Sequence, residues 1–131
     1  MTDPPTTEEL LARGSYGPDD GDEVFDRLDL GDFYDKEGRP ITMRQWGILH
    51  NCMKYLRIAE TTIGPYWIST VWIGVNHGIF GPPPLIFETM VFNRDSGESD
   101  LDCRRYSTLD QALDGHARMV EEVRLIESIE Q

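Results

Sequence analysis

The sequence predicts an α+β domain: a four-stranded antiparallel meander, a C-terminal helix packed on one face, and a short helix before the sheet. Three observations carry this reading. First, two runs rich in β-branched and aromatic residues, Tyr66–Val75 and Leu85–Asn93, flank a Gly/Pro-rich break, the pattern of paired strands around a turn. Second, Leu109, Ala112, Leu113, His116, Met119, Val120, Val123 and Ile126 recur at helical spacing. Third, Thr6/Glu9, Thr42/Gln45 and Thr108/Gln111 each make a capping-box pattern, in which a threonine hydroxyl and an acid or amide three residues later satisfy each other's backbone N–H groups.

Residues 1–31 read as an acidic leader segment and residues 32–131 as a single α+β domain. Within the leader, the first capping box precedes Leu10-Leu11-Ala12 and Gly14 follows as a stop, so one or two helical turns are expected there. Gly17-Pro18-Asp19-Asp20-Gly21-Asp22 is loop chemistry. Val24, Phe25, Leu28 and Leu30 sit among aspartates and glutamates, a pattern suited to a short peptide docking on its own domain or on another protein.

Phe33 to Ile41 reads as a tight reversal, with Gly38 where a positive φ is wanted. A short helix is expected from Met43 to about Asn51, weakened by Gly47 by roughly 1 kcal/mol relative to Ala. Lys54 to Ile63 is assigned to a strand because Ile58, Thr61, Thr62 and Ile63 are β-branched. Gly64-Pro65 then turns the chain into the central pair, whose runs are apolar on both faces as interior strands require. Gly81-Pro82-Pro83-Pro84 lies outside any ladder, since proline donates no hydrogen bond. Leu101 to Tyr106 is short and charged, as edge strands are.

Composition bounds the function. The chain has 131 residues and 39% apolar content, enough for one domain with a core that needs no disulfide or metal. No apolar run approaches the roughly 20 residues of a membrane helix, and the first residues lack a signal core. The expected location is the cytoplasm, without membrane partners. Cys52 and Cys103 are expected to be two thiols. The net charge of −12 divides into −8 over residues 1–39 and −4 over residues 40–131. Such a balance argues against direct nucleic-acid binding, which needs clustered Lys and Arg. An acidic leader suits a basic protein partner, or serves only as a solubilising segment.

No motif for catalysis, phosphate binding or metal binding stands out, so no cofactor and no metal are expected. The catalytic candidates are His77, as a general base beside the proline loop, and Glu88, a carboxylate within a strand. Each has a structural alternative: His77 as a polar turn residue, and Glu88 as half of an ion pair with Arg57, Arg104 or Arg105. The expected strand register places Glu88 opposite Trp72. His116, on the apolar stripe of the last helix, is expected to be buried and hydrogen-bonded. Trp67 and Trp72 must point to opposite faces of one strand because their separation is odd. One enters the core, and the other is covered by the leader, a second subunit, a partner or the short helix. Trp67, Trp72, Phe25 and Leu28 are therefore the interface candidates.

The stretches Tyr34-Asp35-x-Glu37-Gly38-x-Pro40-Ile41-Thr42, Ser69-Thr70-Val71-Trp72-Ile73-Gly74-x-x-His77, Pro83-Pro84-Leu85-Ile86-Phe87-Glu88-Thr89-Met90-Val91-Phe92, Arg105-Tyr106-Ser107-Thr108 and Ala112-x-x-Gly115-His116 resemble a family of small proteins encoded by actinobacteriophages and related prophages. The resemblance spans roughly residues 33–124. It implies a phage origin and expression in a bacterial cytoplasm, and it carries over no functional residue. The family pattern has Asp before the loop histidine, where this chain has Asn76, which weakens an Asp–His pair as an active site. The functional expectation is a non-catalytic accessory protein that binds another protein in host takeover or defence evasion. The alternatives are a small enzyme or nucleotide-binding protein with a pocket at the 76–84 loop, and a virion component.

Overall fold

The β-branched runs pair as the sequence predicts. In a computed structural model that describes residues 3–13, 32–76, 81–98 and 102–130, strands β3 (Arg57–Ile63), β4 (Tyr66–Trp72), β5 (Phe87–Asn93) and β6 (Cys103–Tyr106) form an antiparallel sheet in chain order. Helix α4 (Leu109–Glu130) lies across one face and touches all four strands. Ahead of the sheet come α1 (Thr7–Arg13), the hairpin β1 (Phe33–Tyr34) and β2 (Pro40–Ile41), α2 (Met43–His50) and the single turn α3 (Met53–Leu56). All three capping boxes form, each with reciprocal bonds between its threonine and the residue three positions on. Among the described residues no helix is long and apolar enough to cross a membrane, and Cys52 and Cys103 are not joined in a disulfide.

The core divides in two beneath α4. One cluster gathers Leu49, Tyr55, Trp72, Ile86, Phe87 and Ala112, and the other gathers Tyr66, Ile68, Val91, Met119 and Val123. Both draw on the same face of the sheet, because Tyr66, Ile68, Thr70 and Trp72 alternate along β4 and their partners in β5 are Asn93, Val91, Thr89 and Phe87.

The register differs from the expected one by a single residue: Glu88 stands opposite Val71, and Trp72 opposite Phe87. The cause is a bulge at the end of β4. The N–H groups of Ile73 and Gly74 both donate to the carbonyl of Ile86, at 2.8 and 3.1 Å, so two residues face one. Gly74 takes φ +70° there, where an added Cβ would run into the rings of Trp72 and Trp46. A one-residue slip moves a side chain to the other face of a sheet, which is why Glu88 lies away from the core.

The segment assigned to one strand from Lys54 starts as helix. The N–H groups of Tyr55 and Leu56 both bond the Cys52 carbonyl at 3.0 Å, and β3 begins only at Arg57. This turn swings the Tyr55 ring edge-on against Trp72, with centroids 4.9 Å apart. Burial of that contact outweighs the modest strand preference of the local sequence.

The boundary at residue 31 also requires correction. Residues 3–13 do not form part of an appended leader: Leu10 and Leu11 pack on the first core cluster, and Thr7 is 4% exposed. The Thr7 hydroxyl meets the Tyr55 hydroxyl at 2.8 Å, and Glu8 pairs with Arg39 at 2.8 Å. Helix α1 thus belongs to the domain. The stretch of expected leader from residue 14 to 31, with Phe25 and Leu28, lies outside the described residues, as does His77.

The reversal between β1 and β2 forms around Asp35, whose Oδ1 accepts from the N–H groups of Glu37 and Arg39 at 3.0 and 2.9 Å. Its Oδ2 takes Arg39 Nε at 2.7 Å. Gly38 has φ +82°, as the turn requires. The hairpin then extends the sheet locally, since Tyr34 N–H donates to the Gly74 carbonyl and Asn76 N–H to that of Asp32.

Removing residues 1–13 is expected to destabilise the domain by roughly 2–5 kcal/mol, through lost apolar burial and the orphaned Tyr55 hydroxyl. Urea unfolding of the truncated and full chains measures this. Equal midpoints would show that α1 contributes nothing to the fold.

Candidate functional site

The face of the sheet away from α4 carries a row of partly buried apolar side chains. Odd positions of β4 place Trp67, Ser69 and Val71 there, and the register sets Phe92, Met90 and Glu88 beside them. Trp67, Val71, Met90 and Phe92 are half-buried and belong to neither core cluster. The Trp67 and Phe92 rings lie 5.0 Å apart, tilted by 31°, and the Arg94 guanidinium carbon sits 5.3 Å from the Trp67 ring centre. This is a cation–π arrangement at a solvent boundary.

The other tryptophan is a core residue. Trp72 is wholly buried and its Nε1–H donates to the Tyr34 carbonyl at 3.0 Å. It offers no surface, so Trp67 alone of the two remains an interface candidate. Helix α2 does not cover Trp67 either. Its Trp46 stands at the Trp72 end, donating to the Ile73 carbonyl at 2.9 Å, with His50 between the two rings.

Charged pairs rim the helix-free face. Arg105 Nε meets Glu88 Oε2 at 3.0 Å, with the Glu88 side chain 14% exposed, and Arg57 Nε meets Glu60 at 3.2 Å. Of the three arginines the sequence put within reach of Glu88, Arg105 is the partner. Arg104 instead holds Glu122 of α4 through both guanidinium ends at 2.7 and 2.8 Å, tying the last strand to the helix. Glu88 is thus half of an ion pair between β5 and β6. Among the described residues no group of three or more His, Cys, Asp or Glu is placed to hold a metal ion.

A buried polar chain runs between the two core clusters. His116 Nε2 meets the Thr61 hydroxyl and Nδ1 the Thr70 hydroxyl, each at 2.8 Å, and Thr70 continues to Thr89. Burial pushes the His116 pKa down, so the ring is neutral at pH 7 and shares one donor and one acceptor with the two threonines. The sequence reading of a buried, hydrogen-bonded histidine matches this geometry.

A cleft of about 470 Å³ opens where α1, the β1–β2 turn and the start of α4 meet, with Pro5, Thr6, Lys36, Tyr55 and Thr108 in its lining. Lys36 Nζ sits 4.3 Å from the Tyr55 ring centre. Burial lowers the Lys36 pKa, and the neighbouring Glu37 opposes that shift. The Tyr55 hydroxyl is pushed up to about 12, chiefly by burial, while it accepts from the Lys36 N–H at 2.9 Å. It therefore stays protonated and is occupied by structural bonds. Sequence reasoning passed over Thr7, Lys36 and Tyr55. The available signal was the i, i+3, i+4 spacing of Thr7, Leu10 and Leu11, which marks one face of a helix, but the surrounding acids argued for a solvated segment.

His116 gives a pH prediction. Its folded pKa lies below the value near 6.5 of an unfolded histidine, so its contribution to stability is present above that value and is lost as pH falls toward the folded pKa. Wild-type stability should therefore decline as pH falls below about 6.5, with a slope of at most about 1.4 kcal/mol per pH unit for one proton. His116→Gln should be less stable at pH 7.5 and nearly flat over the same fall in pH. Urea titrations at stepped pH check this, and a wild-type profile as flat as that of the variant would refute it. Comparisons with family models, with curated proteins and with solved structures find no match for this chain.

Proposed function

We propose that this protein is a non-catalytic, protein-binding module of bacteriophage type that captures its partner on the helix-free face of its sheet. The observation that carries this reading is the half-exposed Trp67–Phe92 pair, stacked beside Arg94 on a face that belongs to neither core cluster. Tryptophan and arginine are enriched among the few residues that dominate binding energy at protein interfaces, since each combines a large contact area with hydrogen-bond donors. The ion pairing of Glu88 favours binding over acid–base chemistry. Phage origin and action in a bacterial cytoplasm, in host takeover or defence evasion, rest on the resemblance of residues 33–124.

A second reading, a small-ligand-binding protein, is favoured by the cleft beside Lys36, since about 470 Å³ lies within the usual range for such sites. That cleft is distant in sequence from the 76–84 loop where the pocket was expected.

Trp67→Ala separates these readings. Immobilised wild type and variant are exposed to host lysate, and the retained proteins are identified by mass spectrometry. A protein held by the wild type should be lost from the variant, because truncating an aromatic hot spot costs about 2 kcal/mol or more in binding. Thermal stability should fall less than for Trp72→Ala, a core deletion costing roughly 3–5 kcal/mol. Identical retained sets would overturn the proposal.

A further inference from the structure

The sign of charge on the helix-free face is opposite to that of the chain. Across the whole sequence 24 acids oppose 12 Lys and Arg. On this face the strands and the residue after β5 present Arg57, Arg94 and Arg105 against Glu60 and Glu88 only. Both glutamates are already engaged, by Arg57 and Arg105. Arg94 makes no ion pair among the described residues, and its guanidinium rests beside Trp67, the aromatic centre of the face. A guanidinium on an aromatic ring keeps its N–H donors directed outward in its own plane. The helix on the opposite face is acidic: α4 carries six acids and two arginines.

From this arrangement we infer that the partner segment received by the helix-free face is apolar and acidic, an inference that rests on the protein-binding reading of that face. Its apolar side chains cover Trp67, Phe92 and Met90, and a carboxylate takes the open donors of Arg94 in a charge-assisted bond. A basic segment would instead bring like charge against Arg94 as the site desolvates, which costs affinity. The acidic back of the molecule repels such a partner from α4 and turns it toward the sheet. The basic partner suggested by the total charge is therefore the wrong sign for this face.

The test uses the full chain and two fluorescein-labelled peptides. One alternates Leu, Phe and Val with Asp and Glu; the other carries Lys in place of every acid. Anisotropy titrations are run on wild type, Arg94→Glu and Trp67→Ala, with thermal melts as a folding control; Arg94 is exposed, so its variant should fold. The acidic peptide should bind wild type in preference to the basic one. Its affinity should fall about tenfold or more in Arg94→Glu and on raising salt from about 0.05 to about 0.5 M. Trp67→Ala should weaken it as well. Preference for the basic peptide, no binding of either peptide, or indifference to Arg94→Glu would each overturn the inference. If the basic peptide binds and Trp67→Ala abolishes it, the face remains the binding surface and only the charge assignment fails. If binding ignores Trp67→Ala, the protein-binding reading of the face fails with it.

Discussion

Burial of the Trp72 indole organises the whole of one end of the molecule. Its Nε1–H is held by the Tyr34 carbonyl, its ring meets the edge of Tyr55, and its strand partner is Phe87. A buried indole N–H needs an acceptor, and the chain supplies one by bringing the β1–β2 hairpin against the end of β4. The bulge at Ile73 and Gly74 makes room for that approach, and the lack of a side chain at Gly74 lets both Trp72 and Trp46 close over it. Tyr55 in turn reaches Thr7 and the Lys36 N–H, so α1 is recruited through a chain of contacts that starts at one tryptophan.

The threonine–histidine chain plays a complementary part in the middle of the sheet. Thr61, Thr70, Thr89 and His116 join β3, β4, β5 and α4 between two apolar clusters. Apolar contacts tolerate sliding, whereas each of these hydroxyls has a partner at a single register. A helix displaced by one residue would strand His116 among apolar groups and leave buried hydroxyls unsatisfied. Polar satisfaction thus selects the docking position of α4, while the clusters on either side supply most of the burial.

Charge and shape divide the protein into two sides with different properties. The helix side is acidic and anchored to β6 by the Arg104–Glu122 pair. The sheet side is aromatic and rimmed by arginines whose acids are already engaged. A chain with a strongly negative total can therefore carry more arginines than acids among the described strand residues of one face, because charges on opposite sides of a domain are separated by more than a screening length at physiological salt. Total charge governs solubility and long-range steering, and the local arrangement governs what is recognised at contact.

Period and capping chemistry were readable from the sequence alone. The four strands, the long final helix, all three capping boxes and the opposite facing of Trp67 and Trp72 follow from local rules, since alternation, helical spacing and reciprocal caps depend on residues a few positions apart. The buried state of His116 was legible for the same reason. What depends on distant residues was decided only by the tertiary structure. The register that sends Glu88 away from Trp72 depends on a bulge, whose two N–H groups share a carbonyl twelve or more residues away. The helical turn before β3 exists because Tyr55 is drawn to Trp72. Helix α1 joins the domain because a threonine and two leucines find a surface that local composition does not reveal. Which tryptophan faces away from α4, and that Arg94 rests on it without an ion pair among the described residues, are outcomes of packing among elements that the sequence holds far apart.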